Sequence, residues 1–312
     1  MKGKGYKCYV NTCYRRIDVS IKMEINHDGS PQTETGCNIT FHKFDPTRIT
    51  GDKVVITTGK RGTGKTHLIK DILYRHSTTK PYAVIINPTE HCNPCYGTIF
   101  PKECIHDEYT PEIVDKFCRR HRKAFDLMRQ DQILSNQSVL DRNNKDPSAI
   151  IVMDNCFYDS SWTKDKNIRS MFLNGRHYKS LFIIAMSYPL SMPPNLRMNV
   201  DFVFIMRENV LTNRKKLYDN FGGMFPTFDM FCRVMDLCTQ DQNCMVIDFG
   251  AKSNNLEDQV FWYRSETVPD FRINSPPSDK QKKNFTTEKE KDMSEESGDH
   301  GKSRSFKRRR NM

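Results

Sequence analysis

Residues 59–66 read Gly59-Lys60-Arg61-Gly62-Thr63-Gly64-Lys65-Thr66 and match G-x-x-x-x-G-K-[ST], the spacing of a loop that cradles nucleotide phosphates. Each position has a physical task. Gly62 and Gly64 can take positive φ and admit phosphate without a Cβ clash, so successive N–H groups face the anion. Lys65 carries an ammonium within reach of the β- and γ-phosphates, and the Thr66 hydroxyl is a ligand for Mg²⁺. With Gly59, Lys60, Arg61, Thr63 and the following His67, these residues make up the candidate ATP-binding set. Such a loop also needs an acid to hold the water shell of the cation. The apolar run 150–153 ends in Asp154, the arrangement of a Walker-B acid. Thr66 and Asp154 are therefore the candidate metal residues.

The elements that must position these side chains follow from the apolar pattern. The run 53–57 before the loop is strand-like. Leu68, Ile69, Ile72 and Leu73 after it mark one face of a helix, whose N-terminus adds its dipole to the phosphate site. Further continuous apolar runs at 83–86, 149–153, 181–186, 202–206 and 245–247 suit strands buried on both faces. Alternating with helical patterns, they predict an α/β fold with a largely parallel central sheet flanked by helices, of the RecA-like P-loop NTPase class. The run 83–86 is an additional strand between the two motifs in sequence, which suits RecA-like ATPases better than nucleotide kinases. Thr110-Pro111 open a long charged helix over 111–134.

Three segments are expected. Residues 1–50 are polar, with turns at Asp28-Gly29 and Ser30-Pro31, and read as a small N-terminal extension. Residues 51–274 form the ATPase domain. From 275 to 312 the chain turns to Lys, Glu, Ser, Asp and Gly with almost no apolar side chains, the composition of a disordered tail.

The 312 residues suffice for one large α/β domain or two modest ones. Lys plus Arg number 49 against 38 Asp plus Glu, a net charge of +11, so an anionic partner is expected. No apolar run approaches the roughly 18 residues of a spanning helix, and no membrane span is expected. The N-terminus lacks a signal-like apolar stretch, so secretion is not expected. The 11 Cys are an odd, scattered set and read as reduced thiols in a cytosolic setting.

Beyond Asp154 stand Asn174-Gly175-Arg176-His177-Tyr178, the strand-like run 181–186 and Ser187-Tyr188-Pro189-Leu190. Pro193-Pro194-Asn195-Leu196-Arg197-Met198-Asn199-Val200-Asp201 and Phe204-Ile205-Met206-Arg207-Glu208-Asn209 follow. With the phosphate loop, this series resembles the poxvirus-type DNA-packaging ATPases of nucleocytoplasmic large DNA viruses, in the FtsK–HerA branch of P-loop motors. The resemblance covers roughly residues 50–265, and 174–209 is its specific part. It implies a homo-oligomeric ring that hydrolyses ATP to drive double-stranded DNA into the viral capsid. Capsid or procapsid proteins are the implied partners, and the virion and host cytoplasm (the viral factory) the implied location.

The resemblance also implies an arginine finger at the end of the helix before the fourth strand, which falls on Arg176. An Arg presented across a subunit interface can neutralise charge developing on a neighbour's γ-phosphate. Arg197, behind Pro193-Pro194, is a second candidate. Two positions depart from the family pattern. Where the family carries an acid directly after the Walker-B Asp, this chain has Asn155, and an amide can orient water but not take its proton. Asp159 is a candidate substitute base, or a loop acid on the surface. The polar sensor at the end of strand four, typically Gln, is Ser187. These departures motivate an alternative, a nucleotide-gated DNA-binding or scaffold protein with weak ATPase activity.

Two weaker constellations remain. His91-Cys92-Asn93-Pro94-Cys95 contains C-x-x-C, and Cys104 and His106 follow. Cys92, Cys95, Cys104 and His106 could supply four zinc ligands, or the segment is a reduced loop. Tyr96 and Phe100 could instead line a DNA- or partner-facing loop. Residues 302–310 hold six Lys/Arg and no acid, which suits phosphate backbones, nuclear import or a solvated terminus alike.

Overall fold

Aliphatic and β-branched runs bounded by polar turns form ten strands of one sheet in the computed structural model, which describes residues 17–22, 36–78, 82–134, 148–156, 161–187 and 192–273. The strands are β1 (Ile17–Lys22), β2 (Gly36–Lys43), β3 (Val54–Thr58), β4 (Tyr82–Ile86) and β5 (Ile105–His106). They continue as β6 (Ala149–Asp154), β7 (Ser180–Met186), β8 (Phe202–Ile205), β9 (Cys244–Asp248) and β10 (Val260–Tyr263). The helices are α1 (Lys65–Arg75), α2 (Pro111–Leu134), α3 (Lys166–Asn174), α4 (Pro194–Arg197), α5 (Leu211–Phe221), α6 (Phe228–Cys238) and α7 (Leu256–Gln259). None among the described residues is long and apolar enough to cross a membrane.

Across the sheet the order is β1-β2-β10-β9-β8-β3-β7-β6-β4-β5. From β8 to β5 every pairing is parallel, so the C-terminal ends of β3, β6, β7 and β8 gather at one end of the sheet. β9 runs antiparallel to both β8 and β10, and β1 is antiparallel to β2. The sheet is thus largely parallel, with an antiparallel flank. The strand separating the phosphate-loop strand β3 from the Asp154 strand β6 is β7, not 83–86, which lies beyond β6 as β4. Sequence order and sheet order differ because each parallel pairing needs a crossover that can skip a neighbour.

Alternation along the strands sends side chains to two apolar layers. Val55, Ile183 and Val152 pack with Leu68, Ile69, Ile72 and Leu73 of α1 on one face. Ile56, Ile184 and Ile151 pack with Val114 and Phe117 of α2, Ile168 and Phe172 of α3 and Phe231 of α6 on the other. Burial on both faces is what the continuous apolar runs require. The sheet also takes in residues before 51. β2 pairs with β10, and Phe41, Phe44 and Ile49 are buried. The 275–312 segment with its basic cluster lies outside the described residues.

Candidate active site

The phosphate loop leaves the C-terminal end of β3, and the Gly59 N–H donates to the Met186 carbonyl at the end of β7. Its glycines do different jobs. Gly62 and Gly64 have φ of +80° and +94°, backbone that side chains rarely adopt, whereas a Cβ at Gly59 would collide with the Met206 side chain. Lys65 and Thr66 open α1. The Lys65 ammonium donates to the carbonyls of Gly59 (2.7 Å) and Lys60 (3.0 Å), which holds it under the loop. Burial pulls its pKa down, opposed by the charge of Asp154. Lys60, Arg61 and His67 lie at the loop's exposed surface, with Thr63 half-buried.

Asp154 ends β6 and is buried. Its Oδ2 accepts from the Tyr96 hydroxyl at 2.8 Å and from the Thr66 hydroxyl at 3.4 Å. Its Oδ1 is buried with no hydrogen-bond partner. Burial raises the Asp154 pKa, while Tyr96, Lys65 and Thr66 pull it back. An orphaned carboxylate oxygen beside a helix N-terminal hydroxyl is a hard-oxygen donor set, and it fits Mg²⁺. Thr66 and Asp154 are thus brought together as the sequence reading requires.

Tyr96 was not among the expected site residues, and the reading of Tyr96 and Phe100 as DNA- or partner-facing is corrected, because both are buried. A web of hydrogen bonds aims Tyr96 at Asp154. Glu90 Oε1 accepts from the N–H groups of Tyr96 (2.8 Å) and Gly97 (2.6 Å), and Oε2 accepts from the Asn87 amide at 2.8 Å. Burial, with Asp154 beside it, pushes the Tyr96 pKa far up, so the phenol stays a donor. Cys92 in this segment is exposed and Cys104 buried, and no group of three or more His, Cys, Asp or Glu converges among the described residues.

Asn155 follows Asp154 with φ of +51°, a conformation Asn tolerates better than most side chains. The Ser187 hydroxyl donates to Asn155 Oδ1 at 2.5 Å. The two positions at which the sequence departs from the family pattern therefore form one hydrogen-bonded pair at the ends of adjacent strands. Asp159 lies outside the described residues.

Arg176 stands at the opposite end of the sheet. It follows α3 and precedes the seven-residue β7, so about 20 Å of strand separates it from the phosphate loop of its own chain. Its guanidinium pairs with Asp201 at 3.2 Å and is 62% exposed. Arg197 is committed elsewhere. Its Nη1 donates to the carbonyls of Asp219 (2.9 Å) and Asn220 (3.3 Å), the favourable place for a cation at the C-terminus of α5.

Two further features carry no short motif. Buried Glu208, after β8, pairs with Lys60 of the phosphate loop at 3.3 Å. Burial alone would raise its pKa, but the Val210 N–H, the Asn213 amide and Lys60 outweigh it and hold the carboxyl below its usual value. On the β8 side of the loop, away from Asp154, lies a cleft of about 610 Å³. Arg207, Asp241, Gln242, Asn243, Ser265 and Thr267 help line it, and Asp241 and Gln242 take positive φ of 53° and 64°.

No protein-family model matches this chain. It is similar to the uncharacterized protein L437 of Acanthamoeba polyphaga mimivirus, 34% identical over 226 residues, covering 72% of this chain and 76% of that protein. The uncharacterized protein 075L of Invertebrate iridescent virus 6 is 33% identical over 227 residues, covering 72% and 82%. Among solved structures it is similar to the genome packaging NTPase B204 from Sulfolobus turreted icosahedral virus 2 in complex with AMPPCP. That match has 12% identity and a TM-score of 0.42, over 70% of this chain and 100% of that one. The chain belongs to a family of nucleocytoplasmic large DNA virus proteins that includes L437 and 075L.

Proposed function

We propose that this chain is an ATP-driven motor that moves double-stranded viral DNA into the capsid as a homo-oligomeric ring. The observation that carries the reading is the split site: phosphate loop and Asp154 at one end of the sheet, Arg176 at the other. Lys65 leaves its carbonyl partners for the β- and γ-phosphates, and Gly62 to Lys65 offer their N–H groups. Thr66 and Asp154 would hold Mg²⁺, which would supply neutralising charge to the phosphates. Asn155, steadied by Ser187, orients the attacking water toward the γ-phosphorus. Because its amide takes no proton, the proton leaves to phosphate oxygen or solvent. Arg176 of a neighbouring copy stabilises charge in the transition state. Capsid proteins are the remaining partners, and the virion and viral factory the place of action.

A second reading, a nucleotide-gated DNA-binding or scaffold protein with weak hydrolysis, is favoured by Asn155 in place of an acid. Turnover of ATP by the purified chain, with and without double-stranded DNA, separates the two. DNA-stimulated, Mg²⁺-dependent hydrolysis supports the motor. Tight ATP and DNA binding without turnover supports the scaffold.

A further inference from the structure

Seven large apolar side chains are exposed among the described residues, and five of them fall into two sets at opposite ends of the sheet. Leu173, Met198 and Phe249 gather round Arg176. Leu173 lies one helical turn before it, and Met198 lies three residues before Asp201. The Phe249 N–H donates to the Asp201 carbonyl at 2.9 Å, while the Asp201 carboxylate holds Arg176. Val210 and Leu211 stand at the other end. The Val210 N–H donates to Glu208 Oε1 at 2.8 Å, and that same oxygen pairs with Lys60 of the phosphate loop. Met198 is 84% and Leu211 64% exposed. Apolar side chains scattered singly on a surface need no explanation; sets that flank the two halves of a split site do.

We propose that the two sets are the two faces of one head-to-tail contact between copies of this chain, Leu173, Met198 and Phe249 of one copy docking on Val210 and Leu211 of the next. The inference rests on the ring reading and names its contact. Within its own chain Arg176 has no phosphate to meet, because a strand's length intervenes. The neighbour that receives it must bring its phosphate loop, and with that loop come Val210 and Leu211 through Glu208. The arriving Arg176 brings Met198 and Phe249 through Asp201. Two different patches meet, so the contact is heterologous; it repeats rather than stopping at a two-fold dimer, and gives a ring where its rotation closes.

The test uses two full-length variants, Met198→Glu and Leu211→Glu, each with one face broken and the other intact. Sedimentation is measured with a non-hydrolysable ATP analogue and blunt double-stranded DNA, and ATP turnover in parallel. Each variant alone is expected to stay monomeric and to lose at least about tenfold in turnover, equivalent to about 1.4 kcal/mol of transition-state stabilisation. An equimolar mixture should give a particle of two chains and regain turnover at one site per pair. Melting shifts with the analogue check folding, and Phe249→Asp or Val210→Asp replaces any variant that fails. Assembly of either variant alone, or a mixture that stays monomeric while the wild type forms rings, overturns the contact. A wild-type chain that stays monomeric with nucleotide and DNA overturns the ring reading itself, and the contact with it.

Discussion

Replacing Tyr96 with Phe removes one oxygen and isolates the role of the buried loop behind Asp154. The Tyr96 hydroxyl is the close donor to Asp154, at 2.8 Å, while Thr66 at 3.4 Å is near the limit of a hydrogen bond and Oδ1 has no partner. A hydrogen bond to a charged group contributes about 1.5–3 kcal/mol. For a domain of this size each kcal/mol moves the melting temperature by about 2–4 °C, so Tyr96→Phe should melt about 3–12 °C lower. The loss should depend on pH. Burial raises the folded pKa of Asp154, and Tyr96 is the first group pulling it back, so the variant's Asp154 titrates higher still. A carboxyl whose folded pKa is raised contributes stability that is present below its unfolded pKa and lost as pH rises through the folded one. The Tyr96→Phe deficit is therefore largest at neutral and mildly alkaline pH and shrinks in acid. Protonated Asp154 cannot hold Mg²⁺, so the acid limb of ATP turnover should also move to higher pH in the variant. Melting curves across pH, paired with a pH–rate profile at saturating Mg²⁺, make the measurement. Melting within about 1 °C of wild type at mildly alkaline pH, together with an unshifted acid limb, would refute the reasoning.

Lys65→Ala should abolish ATP binding by calorimetry while the protein stays folded, because the ammonium bonds only loop carbonyls here and its charge serves phosphate. Arg176→Ala should keep ATP affinity and lose most hydrolysis; mixed with Asp154→Ala it should regain some, since interfaces between the two variants pair an intact acid with an intact finger. Deleting 275–312 should leave the melting temperature unchanged, and if the six cations of 302–310 contact DNA, the salt dependence of DNA affinity becomes shallower by roughly 0.9 in slope per lost phosphate contact.

What was legible in the sequence is what is local. The phosphate loop is a run of eight residues, and β3, β4, β6, β7 and β8 each announce themselves as unbroken aliphatic stretches, because a strand buried on both faces has no polar side to show. The helix over 111–134 is likewise marked by its own opening Thr110-Pro111. Pairings across distance left no trace. Tyr96 meets Asp154 only because β4 lies beside β6, and Glu208 reaches Lys60 only because β8 lies beside β3. The Tyr96 segment drew attention for its Cys and His spacing, yet its working group is the phenol that follows them. The run 245–247 reads like its neighbours but enters antiparallel, since direction is set by the connection and not by composition. The four-residue β10 is too short to separate from the adjoining helix by period alone.

Direction in the sheet explains why Arg176 and the phosphate loop stand apart. Parallel strands put all their C-terminal ends together, and there the chain gathers the phosphate loop, Asp154, Asn155, Ser187 and Glu208. Whatever precedes a strand is left at the other end, which is where Arg176 sits, before β7. The antiparallel β9 is the exception that completes that end, since it delivers Asp248 and Phe249 beside Asp201 at the start of β8. There buried Asp248 is clamped by Arg48, from before β3, and Asp201 takes the Val54 N–H at 2.8 Å and the Lys53 ammonium at 3.5 Å. Arg176 is therefore mounted on the same carboxylate that anchors the first residue of the phosphate-loop strand. Asp201→Asn should weaken both attachments at once. If Arg176 acts on a neighbour, this variant should lose turnover while the ATP affinity of the isolated chain changes little, and a parallel loss of affinity would place the effect in β3 instead.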